Sequence, residues 1–183
     1  MCEIILSKEE ILEVNKRIGS ALTEKFKNNK VPPIFIGVLK GALPFMMGLI
    51  KEVKCYIELD FIQYSSYLKQ SSTGIVMLKK DISTDVAGRD VVICEDIVDT
   101  GRTLAKLQEY LAHRGAKSIT TCVLLDKQAL RQADCKVDFA GKVIEDKFVV
   151  GYGLDYQEYL RNTEEVTVIT PTQLKEIDEI VGE

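Results

Sequence analysis

The segment from Val91 to Leu104 reads VVICEDIVDTGRTL. Its first four residues form an uninterrupted apolar run, which is typical of a strand buried on both faces of a parallel sheet. Leu104, Leu107 and Leu111 then recur at the spacing of an amphipathic helix. Gly115 follows as a helix stop. The segment therefore predicts a buried strand, a turn and a helix in succession.

The turn at residues 100–103 has the composition of a phosphate site. It would lie at the N-terminus of the predicted helix, where free backbone N–H groups and the positive end of the helix dipole favour an anion. Gly101 lets the backbone approach a ligand closely, and Thr100 and Thr103 add hydroxyl donors. We therefore expect this turn to bind a monophosphate.

Two acidic residues, Glu95 and Asp96, precede the turn. They cannot bind phosphate directly, but they could accept hydrogen bonds from ribose hydroxyls or hold a cation. A loop whose acids only solvate the turn and cap the helix is the alternative. The four polar roles in one short segment favour a sugar-phosphate site.

The rest of the chain alternates helices and strands. Ser7 and Glu10 form a capping box before a helical apolar stripe, and Thr170 and Gln173 form another before a final helix. Further strands are predicted at Ile34–Val38, Tyr56–Ile62, Ile119–Leu125, Phe148–Val150 and Val166–Ile169. This alternation predicts an α/β fold with a parallel sheet covered on both faces. Ligands of such sheets bind beyond the carboxyl ends of the strands, where the loops starting at Leu39, Glu95 and Asp126 would converge.

Composition sets the limits of the interpretation. The chain has 183 residues, of which 46% are hydrophobic and 28% charged, and no linker or repeat divides it, so we expect a single domain over residues 1–183. A net charge of -4 gives no basis for binding nucleic acid or an anionic membrane. The start lacks the basic region of a signal peptide, and prolines, Lys40 and Gly41 interrupt the longest apolar segment. We expect a soluble, cytoplasmic protein with reduced cysteines.

Four segments together resemble the type I purine phosphoribosyltransferase family, and specifically its hypoxanthine-guanine members. The acidic pair followed by Asp99-Thr100-Gly101 matches the family's phosphoribosyl-pyrophosphate motif. Leu39-Lys40-Gly41 matches its pyrophosphate loop, and Ser66-Tyr67 with Ser71–Gly74 matches its mobile flap. Asp146–Tyr156 matches its purine-binding segment. The segments occur in the family's order and cover most of the chain.

The resemblance implies the type I phosphoribosyltransferase fold, in which helices flank a central, mostly parallel sheet, with a small hood and a mobile flap. It implies transfer of the 5-phosphoribosyl group from phosphoribosyl pyrophosphate to hypoxanthine or guanine, which forms inosine or guanosine monophosphate and pyrophosphate. Mg²⁺ is the implied cofactor, and a homodimer or homotetramer is the implied assembly. A cis peptide bond is implied between Leu39 and Lys40.

The resemblance also assigns the residues around the base. Asp99 is the implied general base, which takes the N7 proton of the purine as the bond to N9 forms. Lys127 is implied to face O6, where a residue that only donates would favour hypoxanthine or guanine over adenine. Phe148 supplies a face for stacking, and the backbone of Val149 would contact the edge of the base.

The remaining site residues are assigned to the phosphoribosyl pyrophosphate molecule. Binding of its pyrophosphate group is implied for Lys40, Gly41 and Arg161. The 5′-phosphate loop is implied to be Thr100, Gly101, Arg102 and Thr103. The flap residues that close over the reacting centre are implied to be Ser66 and Tyr67. The carboxylates implied to lie near magnesium are Glu95, Asp96 and Asp155, with some of the contacts made through water.

Two alternatives belong to other functional classes. A dinucleotide-binding oxidoreductase is disfavoured because Gly151-Tyr152-Gly153 begins a GxGxxG pattern that Tyr156 breaks. A regulator with the same fold that binds RNA or DNA would need a basic face, which the charge pattern does not support. The set of Asp99, Lys127, Phe148 and Arg161 favours an enzyme. The ranking of hypoxanthine, guanine and xanthine stays open.

Overall fold

The computed structural model describes residues 2–66 and 76–182. The strands of these residues are β1 (Ile4–Leu6), β2 (Ile34–Leu39), β3 (Glu58–Ser66), β4 (Val76–Lys80), β5 (Asp90–Val98), β6 (Ser118–Asp126), β7 (Phe139–Val143), β8 (Val149–Val150) and β9 (Val166–Val168). The helices are α1 (Lys8–Phe26), α2 (Leu43–Glu52), α3 (Arg102–His113) and α4 (Pro171–Val181), with a 3₁₀ turn at Gln128–Leu130.

The central sheet has the order β4-β3-β2-β5-β6-β7, six strands among the residues that the structure describes. All neighbouring pairs are parallel except β3 and β4, which are antiparallel. A smaller antiparallel sheet of order β1-β9-β8 stands beside it in the same described part of the chain. The predicted α/β architecture with a mostly parallel sheet is confirmed.

Helices cover the central sheet on both faces because successive strand residues point to opposite sides. Val92 and Cys94 of β5 pack on one face in a cluster with residues of α1 and α2. Val91 and Ile93 pack on the other face in a cluster with α3. The predicted stripes are buried: Ile11, Val14, Ile18 and Leu22 on α1, and Leu104, Leu107 and Leu111 on α3. Both predicted capping boxes are also present.

Several predicted boundaries were wrong. Strand β5 continues through Glu95 and Asp96 to Val98, because Glu95 and Ile97 pair with Val123 and Leu125 of β6. Strand β3 begins at Glu58 rather than Tyr56 and runs on to Ser66, where it pairs with β4. The strands that sequence patterns did not reveal were β1, β4 and β7. None of the described helices has the length and apolar character needed to cross a membrane.

Candidate active site

The loops that follow β2, β5 and β6 meet at one edge of the central sheet, as predicted. These strands are parallel neighbours, so their carboxyl ends lie side by side. The backbone N–H of Lys127 donates to the C=O of Val98 at 2.9 Å, which joins the exits of β6 and β5. The loop of β5 therefore starts after Val98, and Glu95 and Asp96 approach the site from within the strand.

The turn between β5 and α3 forms a small cup. Residues 95 and 97–104 line a cavity of about 110 Å³. Gly101 is the N-cap of α3 and has a φ of 78°, a left-handed conformation that L side chains rarely adopt. The backbone N–H groups of the first turn of α3 have no partner within the helix, so they are available to an anion. The predicted cup is thus formed, with Asp99 at its exposed rim.

Residues of the loop after β6 support this cup. The C=O of Thr100 accepts hydrogen bonds from the N–H groups of Gln132 and Ala133, at 2.9 and 3.1 Å. Arg131 forms an ion pair with the buried Asp126. A Cβ atom on Gly101 would collide with the Arg131 side chain. Sequence reasoning missed Arg131, although its position four residues after Lys127 in the same loop was a usable signal.

Glu95 and Asp96 form a close acidic pair beside the cup. The N–H of Asp96 donates to Oε1 of Glu95 at 3.1 Å, and the N–H of Ile97 donates to Oδ1 of Asp96 at 2.7 Å. Burial is the main cause that raises the pKa of the Glu95 carboxyl, and the nearby charge of Asp96 is the second cause. Burial also raises the pKa of Asp96. The pair is therefore a place where a cation would relieve repulsion between like charges.

A larger cavity of about 370 Å³ adjoins the cup, because Glu95 lines both. The peptide bond between Leu39 and Lys40 in its wall is cis, as the resemblance implied. The other lining residues include Lys40, Gly41, Asp96, Asp155, Glu158 and Arg161. The structure thus brings the predicted pyrophosphate and metal residues to one cavity.

The segment that carries Arg161 packs directly on the loop that carries Lys40. Gly153 has a φ of 103°, and a Cβ atom there would collide with the carbonyl oxygen of Gly41. The C=O of Gly153 accepts a hydrogen bond from Nη1 of Arg161 at 2.8 Å. The absence of a side chain at Gly153 is what permits this close approach.

An acidic residue that sequence reasoning missed links two cations of this cavity, Lys40 and Arg161. Oε2 of Glu158 accepts hydrogen bonds from Nη2 of Arg161 at 2.8 Å and from Nζ of Lys40 at 3.0 Å. Nη1 of Arg161 also lies 2.8 Å from Oδ1 of Asp155. Hydrogen bonds from Arg161 and Lys40 lower the pKa of Glu158. Its place three residues before Arg161 was the available signal.

The carboxylates of the larger cavity fit a magnesium ion that is bound partly through water. Glu95, Asp96 and Asp155 offer the oxygen ligands that Mg²⁺ prefers. The described residues contain no group of three or more His, Cys, Asp or Glu side chains arranged to hold a metal by themselves. Mg²⁺ commonly keeps several waters and takes substrate phosphate oxygens as ligands, so an incomplete protein ligand set suits it.

Lys127 directly follows β6 and is joined to the end of β5 by its backbone hydrogen bond to Val98. It is buried, with 8% of its surface exposed, and its Nζ lies 3.1 Å from Oδ1 of Asp146. Phe148 is 54% exposed, and its ring contacts that of Tyr156 edge-on, with centroids 5.8 Å apart. An exposed aromatic ring is available for stacking, whereas a core position for Phe148 is excluded.

Val149 lies on β8, which is an edge strand of the small sheet in the described part of the chain. The N–H of Ile169, the residue after β9, donates to the C=O of Phe148 at 3.1 Å. The N–H of Val168 points away from β8 and donates to the C=O of Glu3 at 2.9 Å. Hydrogen bonding alternates along an antiparallel pair, so the N–H and C=O of Val149, which faces Val168, point away from β9. They are oriented to contact a ligand at that edge.

The predicted flap residues are less fully described. Ser66 is the last residue of β3, where it pairs with Val76. Tyr67 and the Ser71–Gly74 stretch lie outside the described residues.

Comparison with known proteins identifies the fold and the family. Residues 5–157 match the phosphoribosyl transferase domain family, which is most of the chain. The chain belongs to this family. It is 48% identical over 170 residues to the hypoxanthine-guanine phosphoribosyltransferase of Bacillus subtilis, covering 92% of this chain and 93% of the relative.

Solved phosphoribosyltransferase structures agree with this assignment. A hypoxanthine phosphoribosyltransferase from Staphylococcus aureus superimposes with a TM-score of 0.87 at 39% identity, covering 93% of this chain and 92% of the other. The Trypanosoma cruzi hypoxanthine phosphoribosyl transferase gives a TM-score of 0.89 at 31% identity, covering 97% and 95% of the two chains. The type I phosphoribosyltransferase fold implied by the sequence motifs is confirmed.

Proposed function

We propose that this protein transfers the 5-phosphoribosyl group from phosphoribosyl pyrophosphate to hypoxanthine or guanine in purine salvage, and that the reaction uses Mg²⁺. One observation carries the proposal: Glu95 lines both the cup at the start of α3 and the cavity that contains Lys40 and Arg161. A donor with a phosphate at one end and a pyrophosphate at the other would span the two cavities, with its ribose over Glu95 and Asp96.

The two ends of the donor are held by different chemistry. The 5′-phosphate would accept hydrogen bonds from the backbone and hydroxyl groups of residues 100–103. The pyrophosphate would lie against Lys40 and Gly41, with the guanidinium of Arg161 as a bidentate partner. Mg²⁺ near Asp155, and near Glu95 and Asp96, would neutralise the leaving group. Flap residues Ser66 and Tyr67 would exclude water during transfer.

The base would lie between Phe148 and the rim of the cup. Lys127 donates to O6, the backbone of Val149 contacts the base edge, and Phe148 stacks on its face. Asp99 accepts the N7 proton as the bond between N9 and the ribose forms. The buried position of Lys127 supports a specificity role, since a purine with an amino group at C6 would face a second donor there.

We also propose a homodimer or homotetramer in the cytoplasm. Leu43 and Met47 on α2 are each about 40% exposed, which suits burial against a second copy. The solved Trypanosoma cruzi relative is described in terms of its oligomeric state.

The test is nucleotide formation from magnesium phosphoribosyl pyrophosphate with hypoxanthine, guanine, xanthine and adenine in parallel. We expect turnover of hypoxanthine or guanine and none of adenine. Asp99→Asn keeps the shape of the side chain but removes the base, so its kcat should fall by about 10²-fold or more. Asp134→Asn, an exposed residue of the loop after β6, serves as the control. Absence of turnover with every base would refute the proposal.

The alternative of a nucleic-acid-binding regulator gains no support. The relatives reported above carry enzyme names, and nothing in those matches favours a regulator.

A further inference from the structure

One carboxylate oxygen contacts two of the cationic side chains that line the cavity proposed for pyrophosphate, Lys40 and Arg161. Oε2 of Glu158 accepts from Nζ of Lys40 at 3.0 Å, from Nη2 of Arg161 at 2.8 Å and from Nε of Arg161 at 3.3 Å. A pyrophosphate oxygen that bridges Lys40 and Arg161 would lie at the point between the two cations that this carboxylate oxygen occupies. Glu158 and pyrophosphate therefore compete for one position.

The carboxylate can leave while its backbone stays in place. The side chain of Glu158 is 61% exposed, and that of Lys40 is 54% exposed, so neither ion is trapped in the core. The N–H of Glu158 donates to Oδ2 of Asp155 at 2.8 Å, which holds the backbone independently of the carboxylate.

The neighbouring residues of the loop are anchored elsewhere. The hydroxyl of Tyr156 and the amide of Gln157 donate to Oδ1 of Asp178 on α4, at 2.8 and 3.0 Å. The loop thus presents an exposed carboxylate from a backbone that is anchored by other contacts.

We propose that the carboxylate of Glu158 takes the place of a pyrophosphate oxygen between Lys40 and Arg161 until the substrate binds. This inference rests on the proposed function. In the empty site it neutralises Lys40 and Arg161 and holds the arginine in position. Phosphoribosyl pyrophosphate displaces it on binding, and it returns to both cations as the product pyrophosphate leaves. Glu158 is therefore a positioning residue that weakens pyrophosphate binding and favours release of this product.

Titration calorimetry with magnesium pyrophosphate tests the competition directly. Glu158→Gln keeps the size of the side chain and the backbone contact to Asp155 but removes the charge that competes. We expect its dissociation constant for magnesium pyrophosphate to fall by about threefold to tenfold, the size expected when two partly exposed ion pairs are lost. Glu164→Gln is the matched control, because Glu164 is an exposed carboxylate three residues beyond Arg161 that pairs with Lys8 at 2.6 Å.

Steady-state kinetics adds a readout that a merely structural role would not move. In Glu158→Gln the KM for phosphoribosyl pyrophosphate and the inhibition constant of pyrophosphate should fall together, with the KM for the base unchanged. Pyrophosphate binding equal to or weaker than that of the wild-type protein would overturn the inference. If the wild-type protein neither binds magnesium pyrophosphate nor transfers phosphoribosyl groups, the proposed function fails instead, so the two failures are distinguishable.

Discussion

Nζ of Lys127 lies 3.1 Å from Oδ1 of Asp146, and this ion pair joins the loop after β6 to the segment that carries Phe148. The lysine side chain is mostly buried, whereas the aspartate is mostly exposed. The contact therefore orients the amine that the proposed mechanism directs at O6 of the purine, while the other lone pairs of the carboxylate stay in water.

Asp146→Asn should weaken binding of the base. The neutral amide orients the ammonium of Lys127 less strongly, so we expect the KM for hypoxanthine to rise by about threefold to tenfold, with a smaller change in the KM for phosphoribosyl pyrophosphate. Initial rates at varied base concentration measure this effect. Asp134→Asn is the control, and equal KM values in the two variants would contradict an orienting role for Asp146.

Gly101→Ala should damage the phosphate cup. The left-handed φ costs about 1–2 kcal/mol for an alanine, and the added Cβ also meets Arg131 and Cys135. We expect the KM for phosphoribosyl pyrophosphate to rise by about tenfold or more, because a small misplacement of a positioning group has a large effect on rate and binding.

Gly88→Ala provides the matched control for Gly101→Ala. Gly88 has a φ of 70°, but nothing lies near its added Cβ. The positive φ should destabilise both alanine variants. Each kcal/mol that is lost lowers the melting temperature by about 2–4 °C. An unchanged KM in Gly101→Ala would show that the cup does not bind the phosphate.

Arg161→Lys should weaken donor binding although it keeps the charge. The guanidinium simultaneously contacts Asp155, Glu158 and the C=O of Gly153, which a lysine ammonium cannot reproduce. We expect the KM for phosphoribosyl pyrophosphate to rise by about tenfold, measured at saturating base. Arg17→Lys, which alters an exposed arginine that bonds to the C=O groups of residues 140 and 141, is the control.

The acidic pair predicts a pH dependence of stability in magnesium-free buffer. The folded pKa of Glu95 is raised above its usual value of about 4.3, so the folded protein binds the proton more tightly than the unfolded chain does. The protonation of Glu95 therefore adds to the free energy of unfolding. This contribution is fully present at a pH below the pKa of the unfolded chain, and it is lost as the pH rises through the raised pKa of the folded protein.

Glu95→Gln should remove this loss, because an amide does not ionise. We expect its melting temperature at pH 7.5 in the presence of a chelator to exceed that of the wild-type protein by about 2–4 °C, which corresponds to about 1 kcal/mol. Glu109→Gln, an exposed position on α3, is the control. Thermal melts across pH check the result, and an equal slope in wild-type protein and Glu95→Gln would contradict it.

Sequence alone determined the parts of the protein that are encoded locally. The apolar run from Val91, the stripe of α3 and the capping box at Ser7 predicted elements that the structure confirms, because each depends on neighbours a few residues away. The resemblance to the family's motifs assigned Lys40 and Arg161 to one site, and both line the same cavity in the structure.

Tertiary structure decided what depends on residues distant in sequence. Strand β5 runs past its apolar residues because β6 offers partners to Glu95 and Ile97, and the apolar pattern contains no trace of that pairing. Glu158 reaches Lys40 across 118 residues of chain, which a local motif cannot encode. Backbone pairing and charge contacts across the sheet edge are long-range interactions, so they emerge when the chain has folded.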